Sequence, residues 1–125
     1  DRFLERRKEI ARYYHQNLKN LTPLYPYNKN SSYHLFVVRY PFVDLTQKAK
    51  FFNKMKEKGI LLQYHYIPIN SQPYYHKKGY NFNKTKFPQM AKYYLEVFSL
   101  PIYPSLSEDE QNYVIENIEK ELKWQ

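Results

Sequence analysis

The residues best suited to chemistry in this chain follow an apolar run that ends in histidine, tyrosine and proline. Residues 59–69 read GILLQYHYIPI, and Gln72-Pro73-Tyr74-Tyr75 comes shortly after them. A helix stop followed by an apolar strand with a polar, aromatic end is typical of a strand that leaves a core and delivers side chains to a cleft. On such a strand Gln63 and His65 would share one face, opposite Tyr64 and Tyr66. We therefore expect His65 to line a site, with a structural hydrogen-bonding role as the alternative.

The other histidines carry weaker signals. The four histidines stand at positions 15, 34, 65 and 76, without the close pairing of a helical metal site. We interpret His15 as a surface residue of a helix, His34 as a core histidine of a strand and His76 as a solvated loop residue. The sequence therefore predicts no metal site.

Several enzyme classes are excluded by missing residue types. The chain has two glycines, so neither a glycine-rich phosphate loop nor a nucleophile elbow can form. It has no cysteine, which excludes disulfides and thiolate metal sites and fits a cytoplasmic protein. The acidic residues crowd the terminal helices, where capping and the helix dipole explain them. We predict no catalytic residue, and the chain alone is not a self-sufficient enzyme.

Length and charge set further limits. A chain of 125 residues is expected to form one domain, residues 1–125, and no run is long enough to span a bilayer. The net charge of +8 invites a nucleic-acid or acidic-lipid interpretation, but the basic residues are spread over two helices and a loop. We interpret them as a solvated surface. The chain starts inside a helix-like pattern without Met, from which we expect a piece of a longer polypeptide.

The elements that would position these residues follow from periodicity and turn chemistry. Four helices are predicted. The first covers residues 2–20, and the second runs from the cap Asp44 to Lys58. The third begins at Pro88, and the fourth follows the capping box formed by Ser107 and Glu110. Leu45, Ala49, Phe52 and Met55 would form the apolar stripe of the second helix. Residues 22–32 indicate an extended connector, and strands are predicted over residues 32–40, covered on both faces, over 60–66 and near 99–101.

The segment 70–87 indicates a long loop that could contain a short helix. The elements together predict a small α+β domain, in which a sheet of about three strands packs against helices.

The ordered set of motifs resembles a known family. It comprises the basic helix with RRKEIA at residues 6–11, then YHLFVVR at 33–39, KGI at 58–60, HY-x-P at 65–68, QPY at 72–74, SLP at 99–101 and S-x-x-E at 107–110. This order resembles the C-terminal part of the DegT/DnrJ/EryC1/StrS family of pyridoxal-phosphate-dependent nucleotide-sugar aminotransferases. Residues 63–69 are most similar to members that aminate a UDP-linked 4-keto-6-deoxy sugar, as in pseudaminic acid synthesis.

The resemblance implies that catalysis also needs a large N-terminal domain that this chain does not contain. Family members have the type I transferase fold and act as homodimers, with a large N-terminal domain that holds the Schiff-base lysine. By this resemblance the chain is the small C-terminal domain, and residues 1–20 are the end of the interdomain helix. Pyridoxal 5'-phosphate would be bound mainly by the missing domain, so no cofactor-binding residue is assigned here. A UDP-sugar and an amino-acid donor, expected to be glutamate, would be the substrates.

The resemblance also assigns candidate substrate-binding residues. His65 and Tyr66 match the strand-end motif that lies toward the cleft, and Gln72 and Tyr74 match the segment after it. Two alternatives from other classes stay open. One is a basic, aromatic nucleic-acid-binding module, because tyrosines interleaved with lysines can stack bases. The other is a protein-interaction domain that uses its exposed tyrosines.

Overall fold

A three-stranded antiparallel sheet forms the centre of the fold. The computed structural model describes residues 2–80 and 86–123. Within them the strands are β1 (Thr22–Pro23), β2 (Phe36–Arg39) and β3 (Val97–Leu100), and the helices are α1 (Arg2–Asn17), α2 (Leu45–Glu57), α3 (Pro73–Lys77), α4 (Pro88–Glu96) and α5 (Glu108–Leu122). The strand order is β1-β2-β3, with Val38 opposite Phe98. The predicted α+β class, with about three strands packed against helices, is confirmed.

The core lies between the sheet and three of the helices. Alternate residues Phe36 and Val38 of β2 are buried, as are Phe51 and Met55 of α2. α1 and α5 add two further apolar stripes: Ile10, Ala11 and Tyr14 from the first, and Val114, Ile115, Ile118 and Leu122 from the second. The α5 stripe is the predicted one. Burial of these side chains is the main favourable contribution to folding.

Helix boundaries follow the predicted caps. The Asp44 carboxylate accepts a hydrogen bond from the backbone N–H of Gln47 at 2.7 Å, and Gly59 ends the α2 region with a φ of +75°. Ser107 and Glu110 form the reciprocal capping box of α5, with N···O distances of 2.8 and 3.1 Å. These caps satisfy amide groups that the first helical turn leaves without partners.

The structure corrects four sequence expectations about the elements. Residues 22–32 are not connector throughout, because Thr22–Pro23 pairs with β2 as an edge strand. β2 is shorter than residues 32–40, and it is covered mainly on one face, since Arg39 is exposed. The buried face of α2 contains Lys48, Phe51 and Met55, whereas Leu45 and Ala49 are exposed. The fourth correction concerns residues 60–66.

Residues 60–66 do not form a strand. They make one isolated antiparallel bridge, between Gln63 and Ser99, with N···O distances of 2.9 and 3.3 Å. In that register the next hydrogen-bonded pair on one side would require an N–H from Pro101, which proline lacks. On the other side it would require Val97, whose N–H donates to Tyr93 and whose carbonyl accepts from Lys48. The ladder therefore stops after one pair.

A single turn of 3₁₀ helix, Ile69–Ser71, leads into the segment 70–87, and the short helix α3 follows it. The short helix considered from the sequence is therefore present. Residues 81–85 of the predicted loop lie outside the described residues.

Candidate functional site

An open cleft of about 430 Å³ lies where residues 59–66 separate from β3. Its other walls are residues 34–35, which precede β2, and residues 99–103, which form the end of β3 and the segment after it. Its polar and aromatic lining comes from His34, Gln63, His65, Tyr66, Ser99 and Tyr103. The early stop of the Gln63–Ser99 ladder creates this space, because residues 64–66 are free to leave the sheet edge.

His65 is held in the cleft by one short hydrogen bond. Its Nε2 lies 2.6 Å from Oγ of Ser99, a residue of β3 that is 3% exposed. The other ring nitrogen, Nδ1, is buried and has no hydrogen-bond partner in the part of the chain that the structure describes. The His65 ring also meets the Tyr66 ring edge-on, at 4.9 Å between centroids. His65 thus has one ring nitrogen engaged and one available.

The electrostatics of the cleft favour a neutral imidazole. Burial lowers the pKa of His65 below its usual value of 6.5, and the positive charge of His34 lowers it further. Both effects disfavour the protonated ring. At neutral pH the ring therefore carries one proton and can donate one hydrogen bond and accept another.

The four predicted substrate-binding residues fall into two groups. His65 and Tyr66 line the same cleft, and Tyr66 is 75% exposed. The expectation that Tyr66 lies with Tyr64, opposite His65, is therefore wrong, because residues 64–66 are not part of a strand. Gln72 lies at the start of α3, where its amide donates to the carbonyl of Ile67 at 3.2 Å. Tyr74 is exposed on α3 and stacks edge-on against Tyr75. Neither Gln72 nor Tyr74 lines the cleft, and all four assignments as substrate ligands stay predictions.

The other histidines correct two interpretations. His34 is exposed and lines the cleft, so its interpretation as a core residue is wrong. The reason is that β2 starts only at Phe36, which leaves His34 on the approach to the strand. His15 is half-buried rather than a surface residue, because its ring packs edge-on against Tyr27 and Phe36. His76 is exposed on α3, as expected.

Sequence reasoning missed a second site on the opposite side of β3. Lys48 is completely buried, and its ammonium donates to the carbonyls of Tyr94 and Val97 at 2.7 and 2.8 Å. Four rings surround Nζ, with the Tyr64 centroid at 4.5 Å and those of Phe52, Tyr94 and Phe98 at 5.6 to 5.9 Å. We call this arrangement the Lys48 cage. Phe52 lies one turn along the same helix, but the other three rings come from segments 16 to 50 residues away, so no local pattern in the sequence could reveal the cage.

Burial lowers the pKa of Lys48 from 10.5 to about 8. The four ring faces act in the opposite direction, because they attract the charged ammonium. The amine is enclosed by its own chain and bonded to two carbonyls. It is therefore not presented to the His65 cleft, whose lining contains no lysine. In the described residues no amine is placed there to bind a carbonyl cofactor.

The described residues provide neither a cluster for a metal ion nor a membrane-spanning helix. Across residues 2–80 and 86–123, no cluster of three or more His, Cys, Asp or Glu side chains could hold a metal ion. Over the same ranges no helix has the length and apolar character needed to cross a membrane.

The apolar side chains of β2 that alternate with Val37 and Arg39 do not form a base-stacking surface. Phe36 and Val38 are buried against the core, at 2% and 0% exposure. Several basic side chains are also paired with carboxylates, including Lys8 with Glu5 and Arg6 with Glu9.

Comparison with known proteins gives a consistent result. The profile of the DegT/DnrJ/EryC1/StrS aminotransferase family matches residues 1–119. The dTDP-3-amino-3,6-dideoxy-alpha-D-galactopyranose transaminase of Aneurinibacillus thermoaerophilus is 33% identical over 120 residues, which cover 93% of this chain and 31% of that protein. The spore coat polysaccharide biosynthesis protein SpsC of Bacillus subtilis is 31% identical, over 94% of this chain and 32% of its own length.

The fold has close solved counterparts. The PLP-form of the putative sugar aminotransferase Spr1654 from Streptococcus pneumoniae aligns with a TM-score of 0.86 and 25% identity, over 98% of this chain and 32% of that chain. The chain spans about a third of the length of the curated relatives that it matches.

Proposed function

Since this chain belongs to the DegT/DnrJ/EryC1/StrS aminotransferase family, we propose that it is the small C-terminal domain of a pyridoxal-phosphate-dependent nucleotide-sugar aminotransferase. The observation that carries the proposal is the family match over residues 1–119 of a chain that spans about a third of its curated relatives. In the whole polypeptide the domain would help to enclose the sugar nucleotide. The Schiff-base lysine would lie outside residues 1–125.

The geometry of the cleft supports a binding role that other parts of the protein complete. Nδ1 of His65 is a buried polar atom without a partner in the described residues, and such atoms are costly unless something pairs with them. The same region exposes large apolar side chains, including Leu61, Tyr66 and Ile69 at 65 to 75%. Apolar patches of this kind mark surfaces that another molecule or domain covers.

Pyridoxal phosphate as cofactor is supported by relatives rather than by residues of this chain. Spr1654 was solved in PLP and PMP forms. The described residues fit a wall of the site better than a complete cofactor site, because the cleft lining contains no lysine and the Lys48 amine is engaged elsewhere. The cofactor, when bound, would carry the amino group. His65 and Tyr66 would orient the sugar, and α1 would be the end of the interdomain helix.

The finer assignment is part of the same proposal. The substrate would be a UDP-linked 4-keto-6-deoxy sugar for surface glycan synthesis, as the motif at residues 63–69 suggests. The amino donor would be an amino acid such as glutamate, and the whole enzyme would be a cytoplasmic homodimer. Helicobacter pylori PseC, an aminotransferase involved in the biosynthesis of pseudoaminic acid, shares the fold, with a TM-score of 0.85 at 24% identity.

Borohydride trapping tests the proposal on the whole polypeptide that carries this chain. Reduction in the presence of pyridoxal phosphate should fix the cofactor to one lysine, and peptide mapping should place that lysine outside residues 1–125. A parallel sample reduced without cofactor serves as the control. An adduct on Lys48, or no adduct at all, would refute the proposed division of labour.

A further inference from the structure

The Ser99 hydroxyl has one polar partner in the described structure, and that partner is His65. The two backbone groups of Ser99 are already paired with Gln63, so the hydroxyl hydrogen needs an acceptor of its own. Ser99 lines the cleft but is only 3% exposed, so its hydroxyl has little contact with bulk water. A buried donor left without an acceptor costs about 1–3 kcal/mol. Among the described residues the acceptor within hydrogen-bond distance of the hydroxyl is Nε2 of His65, 2.6 Å away, so donation to Nε2 is the direction that leaves Ser99 paired.

This direction of donation decides where the imidazole proton resides. A neutral histidine has one ring nitrogen that donates and one that accepts, and the hydrogen bond made by one nitrogen sets the role of the other. If Nε2 accepts from Ser99, the proton of the neutral ring is on Nδ1. Nδ1 is the nitrogen that has no partner in the described residues.

We propose that Ser99 is a positioning residue that holds His65 in its Nδ1–H form, so that His65 offers a hydrogen-bond donor to an acceptor oxygen. We take this oxygen to belong to the sugar-nucleotide substrate, and in that respect the inference rests on the proposed function. The ring would act as an uncharged donor, because burial and the nearby His34 keep the pKa of His65 below its usual value. The other titratable groups that line the cleft are Tyr66 and Tyr103.

The position of Ser99 in β3 makes the contact rigid. The strand is fixed on one side by β2, where Val37 lies opposite Ser99, and on the other by the Gln63 bridge. Gln63 is only two residues from His65, so the bridge also sets the distance between the hydroxyl and the ring. Ser99 acts on the substrate only through His65 and is not itself a catalytic residue.

Nitrogen NMR of the imidazoles tests the inference on the whole polypeptide labelled with ¹⁵N-histidine. The His65 signals are assigned by their loss in His65→Gln. The wild type should show a protonated Nδ1 and an unprotonated Nε2 above the pKa of the ring. Ser99→Ala should shift the ring toward the Nε2–H form, and Ser99→Thr, which keeps the hydroxyl, should restore the wild-type pattern.

An Nε2–H ring in the wild type, or a Ser99→Ala spectrum identical to that of the wild type, would overturn the inference. The wild-type spectrum decides the matter alone if Ser99→Ala does not fold. A kinetic arm links the tautomer to substrate. Ser99→Ala should lower kcat/KM about tenfold, the effect of one misdirected hydrogen bond, while Ser99→Thr stays close to the wild type. Absence of any aminotransferase activity would refute the proposed function and leave the tautomer result standing.

Discussion

The Lys48 cage and the His65 cleft lie back to back on β3, and they differ in whether their polar groups have partners. Adjacent residues are divided between them. Phe98 and Tyr64 belong to the cage, while Ser99 and His65 belong to the cleft. In the cage, the ammonium has two carbonyl partners and four ring faces. In the cleft, one ring nitrogen of His65 has none in the described residues. The described residues provide partners for the ammonium of the first site, whereas the proposed function assigns a partner for His65 to another part of the whole protein.

The closed site also shapes the open one. The carbonyl of Val97 would be the ladder partner of His65 if the Gln63–Ser99 pairing continued, but it accepts from Lys48 at 2.8 Å. Pro101 blocks the ladder in the other direction. Lys48 therefore has a structural consequence beyond the cage, because it helps to release residues 64–66 from the sheet edge. The difference between the two faces of β3 is built into the alternation of its side chains.

The largest effect on stability is expected from removal of the buried amine. Lys48→Ala would leave a cavity among the four rings and two buried carbonyls without their donor, which should lower the free energy of unfolding by about 3 kcal/mol. Urea unfolding of the 125-residue chain measures this. Lys50→Ala is the matched control, because Lys50 is exposed on the same helix, and its effect should stay within about 0.5 kcal/mol. Equal effects of the two variants would contradict the structural role of the cage.

The second prediction uses pH to isolate the charge of Lys48. Its pKa is about 8 in the folded chain and 10.5 when free, so between these values the unfolded state binds more protons. The free energy of unfolding should therefore rise with pH in this window, by about 2 kcal/mol between pH 8 and 9.5. Attraction between the ammonium and the four rings would make this rise smaller. Well below pH 8 the amine is charged in both states and adds no slope.

Unfolding of wild type and Lys48→Met at pH 7.5 and 9.5 measures this contribution as a difference. Methionine fills the cage without a titrating group, so the variant should lack the rise. The measurement stops at pH 9.5 because tyrosines of the unfolded chain ionise near pH 10. Burial raises the pKa of Tyr64 and of Tyr94, so the stability that these phenols contribute is lost at higher pH. Parallel pH curves for the two proteins would show that Lys48 does not titrate in this range.

Signals from neighbouring residues in the sequence were sufficient to predict the helix caps, the presence of the helices and the segment around His65 that lines the cleft. The carboxylate of Asp44, the positive φ of Gly59 and the Ser107 capping box depend on neighbours within four residues, and all three are present as predicted. The change from apolar to polar residues correctly indicated that His65 leaves a core. Such features need no knowledge of distant segments.

The failures all involve partners that are distant in sequence. The apolar run at residues 60–66 suggested a strand, but a strand also requires a partner with free backbone groups, and neither Pro101 nor Val97 offers them. Lys48 looks like any helical lysine until segments some 16 to 50 residues away enclose it. Ser99 was assigned to a strand, and only its contact with His65, 34 residues away, gives it a role in the cleft.

The third prediction contrasts activity with stability at the open site. In the whole polypeptide, His65→Gln should lower kcat/KM about tenfold, because one oriented hydrogen bond to substrate is lost. The unfolding free energy should change by less than about 1 kcal/mol, since glutamine can still bond to Ser99. His76→Gln, on the exposed surface of α3, should leave kinetics near the wild type. A large loss of stability with unchanged kinetics would favour the structural role of His65.

The smallest expected effect tests which of the two tyrosines on either side of His65 belongs to the Lys48 cage. Tyr64 provides the ring nearest to Nζ of Lys48 and packs against Phe52 at 4.4 Å, whereas Tyr66 is 75% exposed in the cleft. Tyr64→Leu should therefore lower the unfolding free energy by about 1 kcal/mol, through loss of the cation–ring attraction and of ring packing. Tyr66→Leu should change it by less than about 0.5 kcal/mol. Urea unfolding of both variants decides the matter: if Tyr66→Leu proved the more destabilising, the assignment of Tyr64 to the cage and of Tyr66 to the cleft would fail.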